Sequence, residues 1–269
     1  MKPDDVAPDR SEFDFAPIAA SLRASVIGFY RDRGVEFTGE RARITLDTNS
    51  SLTQRRAALV LSVLRDRTGM ESLDGLEIVD LGSGFGALAL FFAARGARVT
   101  AIDPNEALFT VGREVADAHG LPVIFRGARM ERTNLPDSCY DIAVQNNSFC
   151  YLVATEDRTA ALEETRRILR PGGWVIRRDP NRWHPVDQFT GVPALHLLTP
   201  QAAGHLAKIA GHKRSLVRIT SPLAARRELT RAGFVEVGSS APTRRPPALQ
   251  PFGRYHHLAA RRPTDSLAL

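Results

Sequence analysis

Between Leu76 and Asp179 short apolar runs alternate with stretches of helical periodicity, and this rhythm constrains the fold more than any other property of the chain. Leu76–Leu81 reads as a buried strand ending in a glycine turn, Phe85–Ala94 as a helix stopped by Gly96, and Ala97–Ile102 as a second strand. A helix with Leu108, Val111 and Val115 inward follows, then strands over Pro122–Phe125 and Tyr140–Gln145. Glu156–Leu169 is a helix closed by Pro171-Gly172-Gly173, and Trp174–Asp179 is a fifth strand. Repeated strand–helix–strand units require a parallel sheet with helices on both faces. Later, Phe234–Val237 and Arg254–Ala260 follow one another with no helix between them, so one runs antiparallel in a terminal hairpin. The expected fold is α/β: a doubly wound, mostly parallel, seven-stranded sheet ending in that hairpin.

The flanks are of different texture. Phe15, Ile18, Leu22, Val26 and Phe29 recur at helical spacing across Glu12–Tyr30, and a second helix is expected over Leu52–Arg65. Gly34–Ser51 between them is polar and poor in β-formers. Residues 1–71 thus form a helical lid, with 1–10 a polar tail, and residues 72–262 form the α/β domain. Residues 180–214 break the rhythm with Pro180, Trp183, His184, Phe189 and His196, and a helix is expected over Pro200–Ala210. An insert after a strand's carboxyl end sits where open α/β sheets bind ligands. Ser221-Pro222 caps the next helix, Pro242, Pro246, Pro247 and Pro251 mark a loop, and 263–269 is a tail.

A net charge of +6 raises the question of nucleic acid, but 33 of the 36 basic residues are arginine, and no aromatic-interleaved basic motif accompanies them. Arg218, Arg226, Arg227 and Arg231 near the last helix, with Arg214, Arg244, Arg245, Arg261 and Arg262, read as a solvated face or as a site for an anionic acceptor. Two cysteines, Cys139 and Cys150, match no zinc spacing and no disulfide framework. The longest apolar run is Ala87–Ala94, far short of a membrane span. The chain is expected to be soluble, reduced and cytoplasmic.

The strongest local signal is Asp80-Leu81-Gly82-Ser83-Gly84-Phe85-Gly86 between the first strand and its helix. Glycines let a ligand approach the backbone, and the helix start adds unpaired N–H groups. Glycine spacing alone also fits a dinucleotide fingerprint, with Asp103 placed to hold a ribose. Asp80, two residues before the first glycine, suits a cationic amino-acid moiety better than a pyrophosphate. With Leu169-Arg170-Pro171-Gly172-Gly173-Trp174 and the terminal hairpin, the chain over residues 72–262 resembles the class I S-adenosylmethionine-dependent methyltransferases, most closely those acting on small molecules. The resemblance implies a Rossmann-like fold and S-adenosyl-L-methionine as cofactor. It implies that Asp80, Gly82, Ser83, Gly84 and Gly86 line the methionine end and that Asp103, followed by Pro104, takes the ribose hydroxyls. The family carries an acidic residue against the adenine amine, and Arg129 stands in that place here; Met130 covers the ring, with Glu131 a substitute. Asn146 and Asn147 lie beside the sulfonium.

Methyl transfer needs alignment and exclusion of water, and a hydroxyl nucleophile also needs a base, which points to histidine. His184, just past the fifth strand, is the best placed of seven histidines; His196 and Tyr151 are further catalytic candidates, and Asp187 a weaker one. His119 reads as a helix C-cap, and His256 and His257 as structural. Tyr30, Tyr151, Trp183 and Phe189 together would make an aromatic acceptor pocket. Asn146-Asn147-Ser148-Phe149 lacks the prolines of adenine- or glutamine-type amino methylation, and no lysine lies between Lys2 and Lys208 for lysine-based ribose methylation. Cys150 lacks the proline that precedes a pyrimidine-methylating nucleophile and reads as a small buried residue. Asp179 and Asn181 supply only half of a magnesium site, so no metal is expected. The function expected is methyl transfer to a small, anionic or aromatic acceptor in bacterial specialised metabolism. An RNA methyltransferase, or a cofactor-binding fold doing other chemistry such as cyclisation, stays open.

Overall fold

The computed structural model describes residues 14–212, 215–239 and 253–264. Lys213, Arg214, Arg244, Arg245, the proline-marked loop, residues 1–10 and the end of the tail lie outside the described residues. Seven strands form one sheet: β1 (Glu77–Leu81), β2 (Arg98–Asp103), β3 (Val123–Gly127), β4 (Tyr140–Asn146), β5 (Leu169–Pro180), β6 (Val235–Ser239) and β7 (Tyr255–Arg261). Their spatial order is β3-β2-β1-β4-β5-β7-β6, with β7 alone antiparallel to its neighbours. The order reverses between β1 and β4, which opens a crevice at their carboxyl ends.

Helices α1 (Ala16–Arg31), α2 (Gly39–Thr48), α3 (Ser51–Thr68), α4 (Ala87–Ala93) and α5 (Phe109–Ala118) share one apolar core with the sheet face that carries Ile78, Ile142, Val144, Trp174 and Ile176. Helices α6 (Thr155–Ile168) and α8 (Pro222–Arg231) cover the other face, over Val79, Leu81, Ala143, Val175 and Leu258. The insert is ordered by its own small core, in which Leu195 packs on Ala203 and Ala207 of α7 (Pro200–Ile209).

The structure moves several expected boundaries. The polar stretch Gly34–Ser51 contains α2, whose Ala42 and Leu46 are the buried positions. Phe85 lies in the glycine turn, and α4 starts at Ala87. Pro171-Gly172-Gly173 belongs to β5 and is no helix terminator, because α6 ends at Ile168 and Gly172 N–H donates to Arg262 O at 3.0 Å across the hairpin. His119 does sit at the C-cap of α5, where its Nε2 meets Ser21 Oγ at 2.9 Å and joins α5 to α1. Ser221 Oγ accepts from Ala224 N–H, the expected cap of α8.

A buried ionic group fastens the second face. Arg158 donates to both oxygens of Glu228, at 2.9 and 2.8 Å, and Arg177 donates to Glu228 at 3.0 Å and to Asp179 at 2.7 Å. Arg158 Nη1 also donates to the carbonyls of Phe149 and Leu152, so α6, α8, β5 and the turn after β4 are held by one charge cluster. Both guanidinium groups lie over the Phe149 ring, Arg177 at 3.8 Å from its centroid. The arginines beside it hold the Glu228 carboxyl below its ordinary range. That part of the stability is present above the unfolded carboxyl's pKa and is lost as pH falls through the folded value. Removing one member of such a set strands the others in low dielectric. Glu228→Gln is expected to lower unfolding stability by about 3–5 kcal/mol in a urea titration at neutral pH.

Candidate active site

The crevice is built by four turns at the carboxyl edge of the sheet. The first is the glycine turn: Gly82 and Ser83 both donate to Ile102 O, at 2.8 and 2.9 Å, which binds the turn to the end of β2. Gly82, Gly84 and Gly86 all have positive φ, a region open to glycine at little cost. Each glycine meets a different neighbour. A methyl on Gly82 would stand 2.3 Å from Ser148 Cβ, and one on Gly86 2.6 Å from the Phe125 ring, so these two are structural necessities. A methyl on Gly84 would meet nothing within 4 Å, and this open side of the turn is where a ligand can lie against the backbone.

Two carboxylates flank that opening. Asp103, at the end of β2, accepts from Gly84 N–H and Asn105 N–H, both at 2.9 Å, and remains half-exposed. Pro104, exposed, is the next residue in that turn. Asp80 is only 2% exposed and has no hydrogen-bond partner among the described residues. Burial, and secondarily the charge of Asp103, push its carboxyl up to about 7. A buried carboxylate without a partner is costly, and a cation brought beside it would relieve the cost.

Met130, buried, reaches within 3.4 Å of the position a Gly82 methyl would take, so it lines the same crevice. Arg129 and Glu131 pair with each other, Nε to Oε1 at 3.0 Å, so the two residues named for the adenine end neutralise one another. On the far side β4 ends in Asn146 and Asn147. Asn147 has φ 57°, donates its N–H to Arg178 O at 2.7 Å, and leaves its Oδ1 buried with no partner among the described residues. Ser148 Oγ donates to Leu81 O at 2.6 Å, closing the β4 turn on the β1 turn.

The insert brings His184 and His196 close enough for their charges to interact. His184 is half-buried, with Nδ1 held 2.9 Å from Val186 O and 3.2 Å from Val186 N–H, so it can donate to the first or accept from the second. In the tautomer that donates from Nδ1, Nε2 can accept a proton. His196 is buried, its Nε2 set 3.0 Å from Arg182 O, and burial lowers its pKa, which makes it a packing residue of the insert. Asp187 accepts from Phe189 N–H, Thr190 N–H and Thr190 Oγ1 and so organises the same loop. Of the four expected pocket aromatics, Tyr151 and Phe189 meet edge-on at 6.3 Å. Tyr30 belongs elsewhere, stacked on Phe37 at 4.0 Å and packed with Phe29 against Phe85 of the glycine turn. Cys150 is buried, and burial raises its thiol pKa well above the ordinary value. Asp179 is spent on Arg177, and no group of three metal-ligating residues occurs among the described residues.

The late arginines divide between exposed positions and backbone or carboxylate contacts. Arg226, Arg227 and Arg231 are exposed, Arg218 donates to Val153 O and Thr155 Oγ1, Arg261 pairs with Glu236, and Arg262 donates to the carbonyls of Arg166 and Arg167. Sequence reasoning missed Arg178, which donates to Asn146 Oδ1 at 3.3 Å beside the crevice; the apolar run of β5 does not show which of its polar neighbours turns toward β4.

Residues 78–173 match a family described as a methyltransferase domain. The chain is 32% identical over 134 residues to a ubiquinone biosynthesis O-methyltransferase of Methylocella silvestris, covering 50% of this chain and 51% of the relative. The chain spans about half the length of the curated relatives it matches. In fold it is similar to 1,6-didemethyltoxoflavin-N1-methyltransferase of Burkholderia thailandensis, solved with S-adenosylhomocysteine, with a TM-score of 0.54, 19% identity and coverage of 98% and 97% of the two chains. The cyclase SpnF is similar to the same degree, with a TM-score of 0.54, 20% identity and coverage of 78% of this chain and 83% of its own. No helix of the described residues is long and apolar enough to cross a membrane.

The raised Asp80 carboxyl couples stability to pH. Its pKa is about 7 folded and near 3.9 unfolded, so the native state holds the extra proton and stability falls as pH rises from about 4 to 7. Asp80→Asn is expected to remove up to ~4 kcal/mol of that loss, read as a higher denaturation midpoint than wild type at pH 8 and a matching one at pH 4.

Proposed function

We propose that the chain transfers the methyl group of S-adenosylmethionine to a small-molecule acceptor in the crevice between the β1 and β4 turns. The observation that carries this reading is the pairing of an open glycine turn at Gly84 with a buried, partnerless carboxylate at Asp80. S-adenosylmethionine, when bound, supplies a methyl group on a cationic sulfur that an aligned nucleophile can displace. Asp80 would hold the ammonium of its methionine end. Asp103, already fixed by two backbone donors, would accept from the ribose hydroxyls, and Met130 would cover the adenine. Asn146 and Asn147 would border the transfer, where the partnerless Asn147 Oδ1 can orient the acceptor. Helices α1–α3 and the 180–214 insert act as the lid that excludes water, and alignment of this kind can supply roughly 7–11 kcal/mol of a barrier. For a hydroxyl acceptor, His184 Nε2 is the base. The setting we propose is cytoplasmic specialised metabolism in a bacterium, supported by the arginine-rich composition and the full-length likeness to a toxoflavin-pathway methyltransferase.

The likeness to a cyclase favours a second reading, in which the fold holds the cofactor without spending its methyl group. Release of S-adenosylhomocysteine with labelled metabolite pools decides between them.

Asp103→Ala is expected to weaken S-adenosylhomocysteine binding at least ~tenfold in a calorimetric titration, since hydrogen bonds to charged groups contribute about 1.5–3 kcal/mol. Unchanged affinity removes Asp103 from the site. His184→Ala should lower kcat about 100-fold or more with cofactor affinity intact; normal turnover would mean that transfer proceeds by alignment alone.

A further inference from the structure

Half of the large apolar side chains left exposed among the described residues fall within one short span: Leu197, Leu198, Leu206, Ile209, Leu216 and Leu223. The sequence around them, from Gln188 to Arg227, holds no aspartate or glutamate. Helix α7 is the centre of this span and stands outside both large cores. It rests on the Leu195–Leu197 turn through its small residues Ala203 and Ala207. At about 3.6 residues per turn, the surface of α7 divides into three sides. Ala203 and Ala207 are buried against the turn. Ala202, Leu206 and Ile209 form a second, open side, with Leu206 46% and Ile209 71% exposed. Gln201, His205 and Lys208 form the third, also exposed. The apolar surface of α7 is therefore wider than the protein covers. Leu197 and Leu198, exposed in the approach to the helix, add to it, and Arg182 donates there to His196 O at 3.2 Å and Leu197 O at 2.7 Å. Neither Arg182 nor Lys208 pairs with a carboxylate among the described residues.

We propose that α7 and its approach dock on an anionic lipid surface, with Leu206 and Ile209 sunk below the headgroups and Lys208 among the phosphates. A helix lying in a bilayer interface presents an aliphatic side to the acyl chains and a basic side to the headgroups. Lys208 stands about a quarter-turn from Ile209, so its long stem can follow the apolar side down while its ammonium stays at the surface. Arg182, at the Leu197 carbonyl, supplies a second cation to the same end of the insert. The composition of the face favours lipid over a protein partner. Protein interfaces draw their binding energy from tyrosine, tryptophan and arginine and are poor in lysine, whereas the open sides of α7 are leucine, isoleucine and lysine. An acid-free span also removes the repulsion that an aspartate or glutamate would meet at a negatively charged bilayer. The inference is independent of the methyltransferase reading and goes beyond it. Because α7 belongs to the 180–214 insert, docking brings that insert to the lipid surface.

The test is co-sedimentation of the full chain, without cofactor, with vesicles of phosphatidylcholine alone and of phosphatidylcholine mixed with phosphatidylglycerol, at low and at physiological ionic strength. Wild type is expected to bind the mixed vesicles, more weakly as salt rises, and to bind phosphatidylcholine alone poorly. Ile209→Ser should weaken binding to the mixed vesicles about tenfold, since it removes an aliphatic side chain from the inserted side. Lys208→Gln should weaken it about fivefold at low salt. Both side chains are exposed, so the melting temperatures of the two variants should match that of wild type, and a match excludes unfolding as the cause of any loss. Failure of wild type to bind the mixed vesicles overturns the proposal, as does binding by Ile209→Ser equal to that of wild type. Sedimentation velocity of the lipid-free protein supplies a further outcome. Self-association that Ile209→Ser abolishes assigns the face to a second copy of the chain and overturns the lipid assignment. Loss of S-adenosylhomocysteine binding bears on the methyltransferase reading alone, because the vesicle assay contains no cofactor.

Discussion

The crevice depends on one close approach. Gly82, leaving β1, and Ser148, two residues beyond β4, come so near that a single methyl on the glycine would stand 2.3 Å from Ser148 Cβ, and the Ser148 hydroxyl closes the contact on Leu81 O. Adjacent parallel strands whose chains diverge to opposite faces normally leave a gap at this point of the sheet. Here the two turns meet at the floor of that gap, and the opening is kept at Gly84 instead. The cofactor side and the acceptor side are thereby set at a fixed spacing by backbone and a hydroxyl, with no flexible side chain between them. The left-handed Asn147 follows from the same constraint, since the chain must turn sharply to bring Ser148 beneath β1.

Charge is distributed around this frame with a clear division of labour. The cluster of Arg158, Arg177, Asp179 and Glu228 is internally balanced and holds the turn after β4 by its carbonyls. Asp80 forms a second, unbalanced group at the crevice: it has no charged partner among the described residues, and its carboxyl is displaced toward neutrality. The first group makes the turn rigid. The second is a cost in the empty protein that ligands of opposite sign can recover.

Most of the fold is legible in the amino-acid order because the strands of its sheet are short apolar runs and its helices bury long stripes. What is not legible has local causes. Among its described side chains helix α2 contributes only Ala42 and Leu46 to the interior, too few positions to register as a period. Pro171-Gly172-Gly173 has every mark of a stop, yet it enters β5 because Arg262 pairs with it across the hairpin and because a methyl on Gly173 would stand 2.9 Å from Arg170 O and 3.0 Å from Asp141 O, where glycine is needed. The glycine turn and its neighbours Asp80 and Asp103 are legible, since spacing along one turn is spacing in space. The place of Tyr30 is not: it packs on Phe85 and apart from the Tyr151–Phe189 pair, which depends on how α1 settles on the sheet.

The aromatic group of Phe29, Tyr30 and Phe37 has a mechanical meaning beyond packing. These rings belong to the first helices and their connection, and they rest on Phe85, which stands between two glycines of positive φ. A turn that must conform to a bound nucleoside is also the seat on which the amino-terminal helices settle. Any adjustment of the turn is passed to them through stiff, interlocked rings, and any lifting of those helices unseats Phe85. On the function proposed above, shelter for the acceptor and the grip on the cofactor would then be coupled through one ring, Phe85.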